Sequence, residues 1–353
     1  MKILHINLER GWRGGEQQTL YLMEGLRSLG HESALLARSN RDLLSRVRAA
    51  GFPVIVISKP FVIHGRHARG YDIIHAHETR GLQIASVWKR LHGKPLIYTR
   101  RVDNPPGSHL FNRWKFGQVD RLVAISRRVR DVMVRWGYDP DHIRVIHSSV
   151  PNTSDLDREV LDALKSRFRH RRVVGCVASL EKRKDHATLL RAAKIVQEEM
   201  PDVVFVLVGD GDMRARLEEQ ASALGLQNVV FEGYREDPFP YYGVFDAFVM
   251  PSREEGLCSS ILDAFRYGVP VVATDAGGIP ELVAHGETGL LAGIGDDLGI
   301  AGCIMRMLGD SGLRQGCVRR AHAVLTKGFT LETMARAYER VYLEAAGGHP
   351  GDG

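Results

Sequence analysis

The sequence that decides the fold is Ala247-Phe248-Val249-Met250-Pro251-Ser252-Arg253-Glu254-Glu255-Gly256-Leu257-Cys258-Ser259-Ser260-Ile261-Leu262-Asp263-Ala264. It opens with four apolar residues that favour a buried strand, and apolar residues at helical spacing follow from Ser259. Gly256 lies in the turn between them. A strand that leads through a short turn into a helix is the repeating unit of a parallel α/β sheet.

The same alternation extends along the chain in both directions. The first half contains seven predicted strands, near Ile3–Asn7, Ser33–Ala37, Val54–Ile57, Ile73–His75, Leu96–Thr99, Leu122–Ile125 and Arg144–Ile146. A polar stretch at 151–172 follows, and five more strands are predicted near Val173–Val177, Val203–Val208, Val229–Phe231, Ala247–Met250 and Val269–Ala273. We therefore predict an α/β chain with two doubly wound domains, whose ligands bind at the carboxyl ends of the strands.

Composition excludes several classes of protein. The chain has 353 residues, enough for two domains with sizeable cores, and 44% hydrophobic and 25% charged residues are ordinary for a soluble protein. No apolar run approaches the roughly 18 residues of a membrane span, and the first ten residues are too polar for a signal peptide. The four cysteines are far apart without a Cys-x-x-Cys pair, which argues against a disulfide scaffold or a zinc site. We predict a cytoplasmic protein.

The formal net charge of +6 conceals an asymmetry between the two halves. Residues 1–172 carry a net charge of +15, whereas residues 173–353 carry −9. Codon composition could explain an excess of arginine, but not the change of sign at mid-chain. We expect the basic half to meet an anionic partner, for which nucleic acid, a membrane surface and a phosphorylated substrate are the alternatives.

Two short segments of the first half carry residues that suit ligand binding. Gly14 and Gly15 lie between the first strand and the first helix, where backbone amides can approach an anion, although an ordinary tight turn has the same sequence. The spacing is not Gly-x-Gly-x-x-Gly, which disfavours a dehydrogenase. His75 and His77 project from one face of a strand end, and either could bind a sugar hydroxyl. A metal site would need a third ligand that is not evident, and we expect His75 to be structural.

The second half combines two carboxylates with a basic turn. Glu255 and Asp263 are eight residues apart, the first in the loop after a strand and the second in the first turns of a helix, whose free amides can receive phosphate oxygens. One carboxylate can hold sugar hydroxyls and the other ribose hydroxyls. Lys182-Arg183-Lys184 places cations where they could bind a diphosphate. A solvated basic turn is the alternative, but this half of the chain is otherwise acidic.

Taken together, these segments resemble the retaining glycosyltransferases of family 4, which have the GT-B fold of two Rossmann-like domains facing a central cleft. Glu255 and Asp263 match the family's Glu, seven residues, Glu motif, with aspartate in the second place. Further matches are Gly14-Gly15, His75-x-His77, Val208–Gly211, Gly277–Glu281 and Gly286–Leu291. The chain differs from the family at Ser179, where an arginine is usual, and at Ser148-Ser149, where Asn-Gly is usual.

The resemblance implies a metal-independent retaining transfer that uses a nucleotide-diphosphate sugar as co-substrate and needs no cofactor. It assigns catalytic roles to His77 and Glu255. Arg183 is a candidate substitute for the arginine missing at Ser179. The residues expected to bind the donor are Gly14, Gly15, Arg183, Lys184, Gly209, Tyr234, Arg235, Glu255, Gly256, Leu257, Cys258, Ser259 and Asp263.

The resemblance also divides the chain. We expect an acceptor-binding domain at 1–165, a nucleotide-sugar-binding domain at 166–330, a C-terminal helix at 331–346 that packs toward the first domain, and a disordered tail at 347–353. Because the first domain is basic, we expect an anionic acceptor such as a phosphorylated lipid, a lipopolysaccharide core or a lipid-linked glycan. The expected acceptor contacts are Arg100, Arg101 and Asp103, although surface arginines need no such role.

Arginines at 127, 128, 130 and 135 could meet anionic headgroups at the inner face of the cell membrane. Two other functions remain open. A nucleotide-sugar epimerase can share the architecture. An adaptor that binds nucleic acid or membrane would be non-enzymatic, but it leaves the two carboxylates unexplained. We expect no nucleic-acid partner.

Overall fold

The computed structural model describes residues 1–39, 41–151 and 155–347, which form two compact units. The first unit contains a seven-stranded parallel sheet: β1 (Lys2–Ile6), β2 (Glu32–Arg38), β3 (Val54–Ile57), β4 (Ile73–Ala76), β5 (Leu96–Arg100), β6 (Arg121–Ala124) and β7 (Ile143–Val145). Five helices connect these strands: α1 (Gly14–Ser28), α2 (Arg41–Ala49), α3 (Thr79–His92), α4 (Leu110–Phe116) and α5 (Arg127–Arg135). Two 3-10 segments occupy Phe61–Gly70 and Pro140–His142.

The first sheet has the strand order β3-β2-β1-β4-β5-β6-β7. The direction of the crossovers therefore reverses between β1 and β4, which defines the switch point where doubly wound sheets bind ligands. β4 and β5 are buried along their whole length because neighbours flank them on both sides. In the register of β1 and β4, His5 is opposite His75.

The second unit is built around a six-stranded parallel sheet: β8 (Arg172–Val177), β9 (Val203–Val208), β10 (Val229–Gly233), β11 (Ala247–Met250), β12 (Val271–Thr274) and β13 (Leu290–Ala292). Its helices are α6 (Arg158–Arg167), α7 (His186–Glu199), α8 (Arg214–Ala223), α9 (Phe239–Tyr242), α10 (Ser259–Arg266), α11 (Asp297–Gly309) and α12 (Ser311–Gly328). The order β10-β9-β8-β11-β12-β13 repeats the arrangement of the first sheet, with its switch point between β8 and β11. β9 is buried at every position and uniformly apolar, as expected of a parallel strand covered on both faces.

The last helix, α13 (Leu331–Ala345), belongs to the first unit. It packs against α1, and its buried Met334, Tyr338 and Tyr342 join the core formed by Leu22, Leu26 and the strands. Gly25 of α1 permits this contact, since a Cβ at that position would lie 2.8 Å from the Cβ of Ala335. The chain therefore completes its first unit after the second one is finished.

The α/β class with two doubly wound parallel sheets is confirmed. The unit boundaries are different from those expected at 165/166 and 330/331, because the second unit comprises 152–328. The expected first boundary cuts α6, a helix that packs against α9 within the second unit. With the observed boundaries the net charges become +11 and −5, so the asymmetry is smaller but keeps its sign.

The expected disordered tail at 347–353 lies outside the described residues except for Gly347. Within the described ranges, we find no helix that combines the length and the apolar character needed to cross a membrane.

Candidate functional site

The switch point of the second unit carries a buried ion pair. Lys184 ends a 3-10 turn in the loop after β8, and Glu255 lies in the loop after β11, the neighbouring strand. The Lys184 Nζ is 2.5 Å from Glu255 Oε1, and the two side chains are 11% and 6% exposed. Burial alone would lower the pKa of Lys184, but the Glu255 carboxylate outweighs it, so the pKa of Lys184 lies above its usual value.

Hydrogen bonds fix Glu255 from three loops. Its Oε1 also accepts a hydrogen bond from Ser252 Oγ at 2.8 Å, and its backbone oxygen accepts one from the Gly278 N–H at 3.1 Å. Gly277 has a φ of +55°, and a Cβ there would lie 2.0 Å from the Glu255 backbone oxygen. Only glycine therefore allows the loop after β12 to approach the loop that carries Glu255.

The loops after β8 and β9 are joined in a similar way. Gly209 has a φ of +140°, and a Cβ there would lie 2.0 Å from the Ala178 backbone oxygen. The Leu180 N–H donates to the Asp210 backbone oxygen at 3.0 Å. Gly209 thus holds the loop that leads to Lys184, and its role in this structure is close backbone packing.

The amino terminus of α10 lies directly after the Glu255 loop. Leu257 and Cys258 are buried, and Cys258, the residue before the helix, has a left-handed φ of +78°. No side chain caps the helix at this residue, so the first amides of α10, beginning at Ser259, retain unsatisfied donors that suit an anion. Gly256 is also buried, and it lies in the turn that leads from Glu255 into α10.

Asp263 projects from the second turn of α10 and is 7% exposed. Burial raises the pKa of this carboxyl to about 7, an effect that Arg266 opposes. Its Oδ1 is buried and makes no hydrogen bond to the described residues. A buried carboxyl oxygen without a partner is costly unless a ligand hydroxyl or water satisfies it.

Three other residues expected to bind the donor lie in the loops after β8 and β10. The Arg183 guanidinium pairs with Glu181 at 2.9 Å and is partly exposed. Arg235 donates to the buried Glu232 at 2.8 Å. Tyr234 is 57% exposed and lies just after β10.

The hydrogen-bond network that contains Arg235 was not predicted from the sequence. Glu232 accepts hydrogen bonds from Arg167 of α6, from Arg235 and from the Tyr241 hydroxyl, at 2.5, 2.8 and 2.8 Å. The pKa of Glu232 is lowered because these donors together outweigh its burial. Arg235 is therefore part of a hydrogen-bond network within the second unit, and the single glutamate near the end of the apolar strand β10 is the signal that could have indicated it.

In the first unit, three buried histidines surround the end of β4. His5 Nδ1 is hydrogen-bonded to His77 Nε2 at 2.9 Å, and His5 Nε2 lies 3.3 Å from Ser33 Oγ. His75 is bonded to the Tyr342 hydroxyl and to Thr99 Oγ1, both at 2.8 Å. His75 is thus satisfied within the core, as expected for a structural residue.

His77 is 3% exposed, which places its ring beneath the surface of the first unit. Burial lowers the pKa of His5 to about 3 and the pKa values of His75 and His77 well below their usual range, so all three rings are neutral at pH 7. Five of the six ring nitrogens have partners, and His77 Nδ1 has none among the described residues. Any direct role of His77 in catalysis must therefore use Nδ1.

His5 supplies the third imidazole that the sequence did not reveal. One nitrogen from each of His5, His75 and His77 lies within 4.8 Å of the others, a spacing that could hold a metal ion. The nitrogens of His5 and His75 are already engaged in hydrogen bonds, however, so a metal would have to displace them.

This cluster predicts an acid-sensitive first unit. Unfolded histidines titrate near pH 6.5, and below that pH the unfolded chain takes up protons that the folded cluster excludes. For each proton that only the unfolded chain binds, the free energy of unfolding falls by about 1.4 kcal/mol per unit of decreasing pH. Burial raises the pKa of Glu78 to about 7, and this group acts in the opposite direction because the folded form binds its proton first. We expect a net loss of about 1–3 kcal/mol per pH unit between pH 6 and 5.

Urea unfolding followed by tryptophan fluorescence measures this loss in the first unit alone, because Trp12, Trp88, Trp114 and Trp136 all belong to it. His5→Gln should reduce the slope of the unfolding free energy against pH by up to about 1.4 kcal/mol per pH unit, which is the contribution of one proton. An unchanged slope in this variant would show that the cluster does not control the acid response.

The switch point of the first unit brings several expected residues together. Gly14 and Gly15 are the first two residues of α1, whereas the sequence predicted them between the first strand and the helix. The Glu16 carboxylate accepts a hydrogen bond from the Arg13 N–H at 3.0 Å. The side chain of Arg101 lies over this turn, since a Cβ on Gly15 would be 3.5 Å from Arg101 Cδ.

The expected acceptor contacts are not equally accessible. Arg101 and Asp103 are half-buried, whereas Arg100 is 3% exposed and donates to the Asn104 backbone oxygen. Arg100 was expected just after a strand, but β5 continues through it, and the strand is covered on both sides. Arg100 is thus the last residue of β5 and is buried, and its role as an acceptor contact stays a prediction.

Two known protein families match this chain, one in the region of each unit. Residues 12–154 match the family Glycosyltransferase Family 4, and residues 171–310 match the family Glycosyl transferases group 1. The second region includes both strands of its switch point, β8 and β11, whereas the first begins after β1 and includes α1 and β4. The chain is a glycosyltransferase with the GT-B fold. The resemblance to glycosyltransferases of family 4 and group 1, and the GT-B fold class, are confirmed. Retention of the anomeric configuration stays a prediction.

Similar glycosyltransferases match along nearly the whole chain. The lipopolysaccharide core biosynthesis glycosyltransferase LpsE of Rhizobium meliloti is 28% identical over 363 aligned positions, which cover 96% of this chain and 98% of that protein. LpsD of the same organism is also 28% identical, over 96% of this chain and 97% of its own length. The solved structure of Anabaena HepE with UDP and glucose has a TM-score of 0.88 at 21% identity, covering 98% of this chain and all of that one.

Proposed function

We propose that this glycosyltransferase moves a sugar, with retention of anomeric configuration, from a nucleotide-diphosphate sugar to an anionic glycan or lipid-linked acceptor of the cell envelope. The observation that carries the proposal is the buried Lys184–Glu255 pair across the switch point of the second unit, beside the uncapped amino terminus of α10. Relatives named for lipopolysaccharide core biosynthesis support an envelope acceptor, and HepE, solved with UDP-glucose, supports a nucleotide-sugar donor.

The second unit binds the donor in this proposal. The ammonium of Lys184 and the amides of Leu257, Cys258 and Ser259 receive the diphosphate, although the net charge of the unit is −5. Asp263 receives the ribose hydroxyls through the unpartnered Oδ1. Both hydrogen bonds to the Glu255 carboxylate end on Oε1, which leaves Oε2 for a sugar hydroxyl. The nucleotide base stacks near Tyr234.

Transfer begins as the bond between the sugar and the diphosphate breaks. Charge then develops on the diphosphate, and the fixed cation and amides stabilise it more than they stabilise the intact donor. The anomeric carbon becomes oxocarbenium-like, and the acceptor hydroxyl attacks on the face that the leaving group occupied, passing its proton to the departing diphosphate oxygen. These groups act without a metal ion or a further cofactor.

The first unit binds the acceptor in this proposal. Its net charge of +11 favours an anionic molecule, and Arg101 and Asp103, near the first turn of α1, are the proposed contacts. His77 takes part in the reaction through Nδ1, its ring nitrogen without a partner among the described residues. We further propose a cytoplasmic location with peripheral contact to the inner face of an anionic membrane, and no nucleic-acid partner.

Incubation of the protein with candidate nucleotide-sugars tests the reaction class. With acceptor present, NMR of the product should show the anomeric configuration of the donor, and the rate should be unchanged by EDTA. Without acceptor, slow release of free nucleotide diphosphate is expected. Accumulation of an epimerised donor would instead identify a nucleotide-sugar epimerase, and an inverted product would contradict the retaining mechanism.

A further inference from the structure

Helix α4 of the first unit exposes three of its four apolar residues and buries two polar ones, with Phe116 as the one apolar residue that is buried. Asn112 and Lys115 point inward and are 7% and 4% exposed, whereas Leu110, Phe111 and Trp114 are 85%, 43% and 37% exposed. Trp114 is three residues after Phe111 and four after Leu110, so all three side chains lie on one side of the helix. We call this surface the α4 patch. A surface helix normally buries such residues.

The inward polar residues are held in place by specific contacts. Asn112 Nδ2 donates to the Gly107 backbone oxygen at 2.7 Å, and its backbone N–H is capped by His109. The ammonium of Lys115 lies 5.6 Å from the centre of the Phe116 ring, and burial lowers its pKa. The orientation of α4 is therefore fixed from within, and its aromatic residues are held outward.

The patch is unusual for this chain. Among the described residues, no phenylalanine or tryptophan other than Phe111 and Trp114 is classed as exposed, and their rings stack on each other at 5.6 Å. Exposed aromatic residues that are grouped in this way mark an interaction surface. Trp and Phe with a neighbouring aliphatic residue suit the boundary between lipid headgroups and acyl chains.

The charge around the patch selects the partner. Residues 104–119 contain no aspartate or glutamate but include Arg113, which is exposed on α4 itself. The neighbouring helix α5 packs against α4 through Trp136, which follows it and lies 5.0 Å from Phe116, and α5 contributes the exposed Arg135. Exposed apolar side chains with arginines on the same and the next helix match a bilayer with anionic headgroups.

We propose that the α4 patch is the element that docks this protein on an anionic lipid bilayer, with Leu110, Phe111 and Trp114 inserted and Arg113 and Arg135 on the headgroups. This inference rests on the proposed membrane contact and specifies its surface. The α4 patch, rather than the arginines of α5, is the principal membrane contact in this proposal. Its apolar residues supply the inserted area, whereas the arginines supply long-range attraction.

Co-sedimentation with vesicles tests the proposal. We expect the protein to bind vesicles of 70% phosphatidylcholine and 30% phosphatidylglycerol. The combined variant Leu110→Ser, Phe111→Ser, Trp114→Ser should bind at least about tenfold more weakly. The matched control is Leu298→Ser, which removes an exposed leucine (72% exposed) from the second unit and should bind like the wild type. Trp114→Phe should keep binding but lose most of the blue shift in tryptophan emission.

The same variants separate the docking surface from the reaction. Release of nucleotide diphosphate from the donor without vesicles should be equal in the wild type and the triple variant, so a loss there would indicate a folding or active-site defect. Unchanged vesicle binding by the triple variant would overturn the proposal. So would a vesicle-free dimer that the triple variant abolishes, because the patch would then join two copies of the chain.

Discussion

Glu255→Gln is expected to lower the rate of sugar transfer about a thousandfold, whereas Glu254→Gln leaves it within about a factor of three. The two glutamates are adjacent, but Glu254 is exposed and Glu255 is buried against Lys184 and Ser252. Glutamine keeps the shape of Glu255 and removes the negative charge that positions the Lys184 ammonium. Steady-state transfer at saturating donor measures the loss.

Loss of one partner from a buried ion pair also destabilises a fold, typically by about 3–5 kcal/mol. The double variant Glu255→Gln, Lys184→Met separates the two effects, because it removes both charges together. We expect it to recover much of the thermal stability and none of the transfer activity. Wild-type turnover by Glu255→Gln would refute the role assigned to this residue.

Gly277→Ala is expected to lower transfer about a hundredfold, although Gly277 is not one of the proposed ligand contacts. The added methyl group would lie 2.0 Å from the Glu255 backbone oxygen, and the residue would be held at a left-handed φ of +55°. The loop that carries Glu255 must therefore move, and misplacement of a positioned group by about 1 Å can cost about a hundredfold in rate.

Gly286→Ala is the matched control for backbone strain. Gly286 has a left-handed φ of +78°, but a Cβ there meets no atom within 4 Å. Both variants should lose about 1 kcal/mol of stability from the left-handed conformation, and only Gly277→Ala should lose activity. Equal activity in the two variants would mean that the contact between the two loops does not position Glu255.

The fold was largely predictable because its signals are local. Buried parallel strands such as β9 are short apolar runs, and each is followed by a turn and a helical pattern. The helix α11 is an element that the sequence analysis did not predict. It contains Gly299, Gly302 and Gly309, which weaken helix propensity, and its packing against α7 stabilises it in the fold.

The candidate site was predictable where one segment carries several of its residues, as from Glu255 to Asp263. Residues that meet through the sheet were harder to recognise. His5 is 70 positions from His75, and only the register of β1 and β4 places them side by side. The exposed apolar residues of α4 were also not evident, because periodicity shows that a helix has two faces but not which one turns inward.

The central claim is that the switch point of the second unit binds a nucleotide diphosphate through Lys184. Calorimetric titration of UDP, GDP and ADP into the wild type, Lys184→Met and Lys182→Met tests it most directly, since Lys182 is an exposed lysine in the same turn. One of the nucleotides should bind the wild type and Lys182→Met about equally, and Lys184→Met about tenfold to a hundredfold more weakly. Equal binding by all three proteins, or no binding by the wild type, would contradict the claim.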